Sequence, residues 1–201
     1  YCPPMPSLDY YGWSQMRFHD HSELVDKHAF LSPSSYHWVN YTEEKLKDRY
    51  ETATASALGT RLHAFAAEAC ELGIRLPKNG KTLNMFVNDA IGWRMTPEQP
   101  LFYSFNAFGT ADAISFRRDI LRIFDLKTGR SRASLMQLKV YAALFCLEYE
   151  VRPAEIDYDL RIYQNDDILQ EDVDPTEIAY VIDRIVKFDK RIDELNFKKN
   201  S

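Results

Sequence analysis

Cysteine is scarce in these 201 residues. Cys2, Cys70 and Cys146 are odd in number, far apart and without C-x-x-C spacing, which argues against a disulfide framework and leaves no zinc or iron–sulfur signature. Cys70 and Cys146 fall in apolar helical patterns and are expected in the core. No apolar run approaches a membrane span, and the chain does not open on the basic segment and apolar stretch of a secretory signal. No internal repeat or low-complexity tract is present. Net positive charge is lacking too: 25 Lys and Arg against 30 Asp and Glu give −5 at pH 7. That argues against a protein that coats nucleic acid non-specifically, although a local basic groove stays compatible, because field depends on placement rather than sum. What is there is an ordinary globular composition, 45% apolar and 27% charged. It is enough for one well-buried domain with a helical elaboration, expected to be intracellular and cytoplasmic and to have no membrane partner.

The stretch 108–141 carries the chemistry. Apolar and small residues alternate with others on both sides of Arg117-Arg118-Asp119, the pattern of two strands joined by a tight hairpin. With Arg118 and Asp119 as a two-residue turn, Arg117 pairs with Ile120, and counting outward places Asp112 opposite Asp125. Strand alternation puts Lys127 on the same side as Asp125, while Phe124 and Leu126 point into a core. Two carboxylates one strand apart repel unless a cation lies between them, and oxygen ligands suit Mg²⁺ or Mn²⁺. Such an ion could hold a phosphate and lower the pKa of a bound water, with Lys127 placing that water or neutralising charge on the phosphate. The bland alternative is two solvated strand carboxylates with Lys127 as their ion-pair partner, worth little by itself.

Around this hairpin the chain reads mostly as helix. Residues 1–30 form an irregular arm, whose His19, His21 and His28 lack the spacing of a metal set. Ser32 and Pro33 are a helix start, with Ser32 as N-cap and Pro33 at the first helical position. A polar helix over 42–57 follows, punctuated by Gly59-Thr60. The next helix carries an apolar stripe of Leu62, Phe65, Ala66, Ala69 and Leu72 and ends at Gly73. His63 borders the stripe; the surrounding glycine and alanine allow close approach to a sheet, which would leave the imidazole able to reach a metal. Glu68 rotates well away from it. A helix over 82–95, a strand over 101–105, an apolar helix over 133–149, a strand over 156–163, a short strand over 168–173 and a final helix capped by Asp174 complete the order. Gln137 and Tyr141 are four apart and share a helix face. The loop Thr128-Gly129-Arg130-Ser131-Arg132 is short and basic, placed where a nucleic-acid backbone would lie if phosphate is the substrate.

The ordered set Gly59-Thr60-Arg61-Leu62-His63, Gly109-Thr110-Ala111-Asp112, Asp125-Leu126-Lys127-Thr128-Gly129 and Gln137-x-x-x-Tyr141 resembles the RecB-type branch of the PD-(D/E)XK nuclease superfamily. Leu31-Ser32-Pro33-Ser34 also resembles that branch's opening helix. The likeness covers residues 31–195 in order and is far more specific than D-x-K alone. It implies an α/β fold: a PD-(D/E)XK nuclease-like core with a central mixed β-sheet flanked by helices and an N-terminal helical elaboration, residues 31–201 forming one domain. It implies a Mg²⁺- or Mn²⁺-dependent deoxyribonuclease, a RecB-like exonuclease acting on DNA ends or single strands. The metal ligands would be His63, Asp112, Asp125 and the main-chain carbonyl of Leu126. Lys127 would be the catalytic lysine, acting with Asp112 and Asp125, and Gln137, Tyr141, Thr128, Arg130 and Arg132 would lie along the bound strand. Ala111 replaces the proline of the superfamily's name at no chemical cost. The four-cysteine cluster of some relatives is missing, so no iron–sulfur cofactor is expected. Without a Walker A loop, any unwinding motor must be a separate helicase or recombination protein, and a small stand-alone nuclease, such as a phage encodes, fits this pattern. Two alternatives stay open: an RNA endonuclease with a His-Asp-Asp-Lys site, and a catalytically silent DNA-binding or assembly subunit.

Overall fold

In the computed structural model, which describes residues 29–129 and 133–199, Arg118 and Asp119 both take left-handed φ, +52° and +59°. That is the requirement of a two-residue hairpin turn whose twist matches its strands. The turn sets the register of β2 (Ala107–Arg117) against β3 (Ile120–Leu126), with Arg117 opposite Ile120 and Ala113 opposite Phe124. The expected pairing is therefore the observed one, and one further step places Asp112 across from Asp125. Asn165 and Asp166, at +54° and +59°, repeat the device between β4 (Asp157–Gln164) and β5 (Asp167–Gln170).

The protein is α/β. Its sheet is mixed, in the order β1-β2-β3-β4-β5, with β1 (Thr96–Ser104) at one edge. Neighbours are antiparallel except β3 and β4, which run parallel. A parallel pair needs a crossover. The crossover contains α3 (Met136–Glu148), whose first turn lies just beyond the carboxyl end of β3. Both faces of β3 are covered. Leu121 and Ile123 turn to a core shared with Leu138, Ala142 and Cys146 of α3 and Ile178 of α4 (Pro175–Lys199). Phe124 and Leu126 turn to a second core, shared with Ala66 and Ala69 of α1 (Glu43–Glu71) and Phe86, Val87 and Ala90 of α2 (Thr82–Gly92).

The described residues fall into two units, divided between Tyr50 and Glu51. In the first, Ser32 and Pro33 open a helix as the sequence predicts, but it is a 3-10 helix, Pro33–Asn40, tied back by the Trp38 indole donating to Ser32 O at 2.9 Å. The predicted break at Gly59-Thr60 is absent: α1 runs on through Gly59, which is buried. A Cβ there would lie 2.7 Å from Thr128 Oγ1. The glycine serves close packing, not termination. The predicted apolar stripe is corrected as well, since Ala66 and Ala69 are buried while Phe65 and Leu72 are exposed. Small residues face the sheet because the helix lies close to it.

In α4, Asp174 Oδ1 accepts the Thr176 amide at 2.8 Å, as a cap should. Glu177, at the capping-box position, instead binds Lys139 Nζ with both oxygens at 2.9 Å. That pairing allows Lys139 to be buried on α3.

Candidate functional site

Asp112 lies where β2 and β3 part. The last regular pair is Ala113 with Phe124, and beyond it the Leu126 amide donates to Asp112 Oδ2 at 2.8 Å. That bond fixes the carboxylate and spends the Leu126 N–H, holding the Leu126 backbone beside it. The Lys127 amide then donates to Tyr163 O of β4 at 2.9 Å. From α1, His63 brings Nδ1 to 3.4 Å from Asp112 Oδ2. The approach depends on Gly59, one helical turn earlier, where Thr128 closes on the helix. An open cavity of about 600 Å³ results, lined by Gly59, Thr60, His63, Glu98, Asp112 and Thr128.

Asp125 is 3% exposed, the most buried carboxylate here. Lys127 Nζ donates to its Oδ1 at 3.0 Å, and to Gln137 Oε1 at 2.8 Å. Nζ also lies 2.9 Å from Oδ2, so the one ammonium is ion-paired with both oxygens of the carboxylate, although only the contact to Oδ1 has hydrogen-bond geometry. Burial, and next the neighbouring Asp112 charge, push the Asp125 carboxyl above its ordinary 3.8 against the opposing pull of Lys127. His63 moves above its ordinary 6.5, chiefly through its hydrogen bond to Asp112, with burial opposing.

Sequence reasoning missed Glu98. Pro97 pairs with Ala113 and Gln99 with Ala111, so Glu98 falls opposite Asp112. Ligand atoms of His63, Glu98 and Asp112 all lie within 4.8 Å of one another. Glu98, Asp112 and Asp125 thus occupy successive strands at one level of the sheet. Burial and the Asp112 charge raise the Glu98 carboxyl above its ordinary 4.5. Its φ of +46° is rare for a residue with a side chain. The prolines at 97 and 100 had hidden this strand, which reads from sequence as starting at Leu101. An edge strand tolerates both. A plain count outward from the Phe105-Asn106 turn lands on Gln99 opposite Asp112, and the irregularity between Phe102 and Ser104 shifts the register by one so that Glu98 stands there instead.

Of the residues expected to meet the substrate, Gln137 is held on Lys127, and Thr128 lines the cavity. Tyr141 stands against β2, its Cε1 3.0 Å from where a Gly109 Cβ would be. Arg130 and Arg132 lie outside the described residues, as do His19, His21, His28 and Cys2. Cys146 is in the core beneath α3, and Cys70 packs half-buried against the second core, beneath α1 and α2. Among the described residues, no helix is long and apolar enough to cross a membrane. No family model, no curated protein and no solved structure matches the chain.

Proposed function

We propose that the chain is a metal-dependent nuclease of the PD-(D/E)XK type, hydrolysing phosphodiester bonds in DNA. The observation that carries this reading is the convergence of Asp112, Asp125 and Lys127 at the parting of β2 and β3, with His63 brought to the same point from α1. Asp125 is buried and stands beside a second carboxylate, Asp112, whose charge adds to burial in raising its pKa, a strain that a bound cation would relieve.

The donor set suits Mg²⁺ or Mn²⁺: carboxylates predominate, and an imidazole nitrogen is available. Asp112, His63 and Glu98, whose ligand atoms lie within 4.8 Å of one another, would hold the ion, with Asp125 and the Leu126 carbonyl as further oxygens. A divalent cation there supplies Lewis-acid polarisation of the phosphate and a lowered pKa for water. The chain's own residues do the rest. The Leu126 amide keeps Asp112 in place. Asp125 and Gln137 grip the Lys127 ammonium from two sides, so that its third proton is directed by two fixed acceptors. Lys127 offers positive charge and a proton donor to the phosphate oxygen on which charge develops.

The test is digestion of end-labelled linear and circular single-stranded DNA with Mn²⁺ by the wild type and Lys127→Ala. Cleavage should fall by about 100- to 1,000-fold or more, while Mn²⁺ binding by calorimetry persists. Undiminished turnover in the variant would sink the assignment.

A further inference from the structure

Three phenylalanines stand in solvent at the far end of the β1–β2 ribbon: Phe105 is 91% exposed, Phe108 65% and Phe102 45%. They form one surface. Phe102 pairs with Phe108 across the strands, ring centroids 6.4 Å apart, and Phe105 at the turn meets Phe102 edge-on at 5.5 Å. The ribbon's other side is packed, with Leu101 buried and Tyr103 and Ala107 against the core beneath α3. Its tip is clamped: Ser104 Oγ and Asn106 Nδ2 both donate to Asp189 Oδ1 of α4, at 2.5 and 3.0 Å, and Asn106 also reaches Asp193 at 2.9 Å. The Phe102 amide donates to Glu148 Oε2 at 2.8 Å. The aromatic surface is therefore displayed on a fixed arm.

Its placement names the occupant. Glu98 with Asp112, Pro100 with Thr110 and Phe102 with Phe108 are successive rungs on one face of the ribbon. Two rungs separate the carboxylates from the aromatic pair, about 13 Å at the usual rise per residue. That is a reach of a few nucleotides. The surface offers flat π-faces and no branched aliphatic chain, the composition that receives bases without regard to sequence. A paired base keeps its faces inside the duplex, and an unpaired one presents them.

We infer that Phe102, Phe105 and Phe108 form a stacking platform for unpaired bases of the strand whose phosphodiester lies at Asp112. The inference rests on the nuclease reading and adds to it a preference for single strands and frayed ends over blunt duplex. Each stacked base contributes roughly tenfold to a hundredfold in affinity.

The test uses the full chain with Phe105→Ala and Phe108→Ala combined, and the same pair changed to leucine, which keeps apolar surface but removes the π-face. Binding of a labelled oligothymidylate of about 12 nucleotides is followed by anisotropy in the Lys127→Ala background with Mn²⁺, beside a blunt duplex and an oligouridylate. Hydrolysis of bis(p-nitrophenyl) phosphate, too short to reach the platform, is measured in the Lys127 background. Both pairs of changes should weaken single-strand binding by about tenfold or more, leave duplex binding nearly unchanged, and preserve hydrolysis of the small diester. Parallel loss for DNA and RNA would place recognition in the bases alone. Unchanged oligonucleotide affinity, equal loss for single strand and duplex, or full retention by the leucine pair would overturn the platform. So would a shift from oligomer to monomer by sedimentation, which would assign the surface to a second copy of the chain. Absence of wild-type hydrolysis of any diester would count against the nuclease reading alone, because the anisotropy comparison reads the platform without turnover.

Discussion

Lys127 Nζ donates to Asp125 Oδ1 at 3.0 Å and to Gln137 Oε1 at 2.8 Å, so the lysine is held by one residue of β3 and one from the first turn of α3. On the reading proposed here, Gln137 positions Lys127. Gln137→Ala should then lower kcat by about 10- to 100-fold, since small displacements of a catalytic group are costly. KM for the small diester and Mn²⁺ affinity should stay near wild type, and Gln137→Glu should retain more activity than Gln137→Ala because it keeps an acceptor. Steady-state kinetics on the two variants checks this; a rise in KM with unchanged kcat would make Gln137 a substrate contact instead.

Glu98 gives the second prediction. Its carboxylate adds charge to a cluster already containing Asp112 and His63, and cation affinity follows ligand charge. Glu98→Gln should weaken Mn²⁺ binding by about tenfold, with restored cleavage at raised Mn²⁺. Calorimetry and an activity titration against Mn²⁺ test it together; equal affinity in variant and wild type would leave Glu98 outside the metal set.

How much of this was legible in the sequence differs from element to element, for physical reasons. The β2–β3 register followed from one two-residue turn and the period of a strand, because a hairpin is a local object whose turn fixes every later pair. The proximity of His63 to Asp112 lay within reach only through the ordered motif, since a contact 49 positions apart leaves no periodic trace. Gly59 was readable as punctuation and proved to be a packing contact, because only the tertiary position of Thr128 decides between the two. Glu98 was hidden by prolines that demote a strand on propensity and are harmless at a sheet edge. Nor does the sequence say that the Lys127 ammonium lies close to both Asp125 oxygens, which depends on the angle at which it arrives.

The third prediction concerns Gly59. An alanine Cβ there would sit 2.7 Å from Thr128 Oγ1 and 3.9 Å from Thr128 Cβ, with nothing else within 4 Å. In a helix interior, Gly→Ala alone should gain about 0.5–1 kcal/mol, and the clash should cost about 1–3 kcal/mol. Gly59→Ala should therefore destabilise, whereas Gly59→Ala combined with Thr128→Ala should recover the helix gain relative to Thr128→Ala alone. Denaturant midpoints of the four proteins give the coupling directly. Additive behaviour would show that α1 and the β3 terminus do not close as the structure has them.

The pH dependence of the metal-free protein supplies the last. His63 binds its proton above 6.5 when folded, and Asp125 and Glu98 bind theirs above 3.8 and 4.5. In each of these windows the native state holds more protons than the unfolded chain, so stability falls as pH rises through the folded pKa. All three groups act with the same sign. With chelator present, Tm should be higher near about pH 6 than near about pH 8 through His63, and Asp125→Asn, which removes one of the charges that raise His63, should flatten that slope. Saturating Mn²⁺ should reverse the trend, because the cation takes the place of protons at these ligands and binds more tightly as they come off. Asp166 and Asp174, whose carboxyls lie below their ordinary 3.8, act in the opposite direction, but only at more acid pH. Scanning calorimetry at the two pH values, with and without Mn²⁺, measures every term; a Tm that rises with pH in the chelated wild type would show that the carboxylates and His63 do not share their charge as the structure places them.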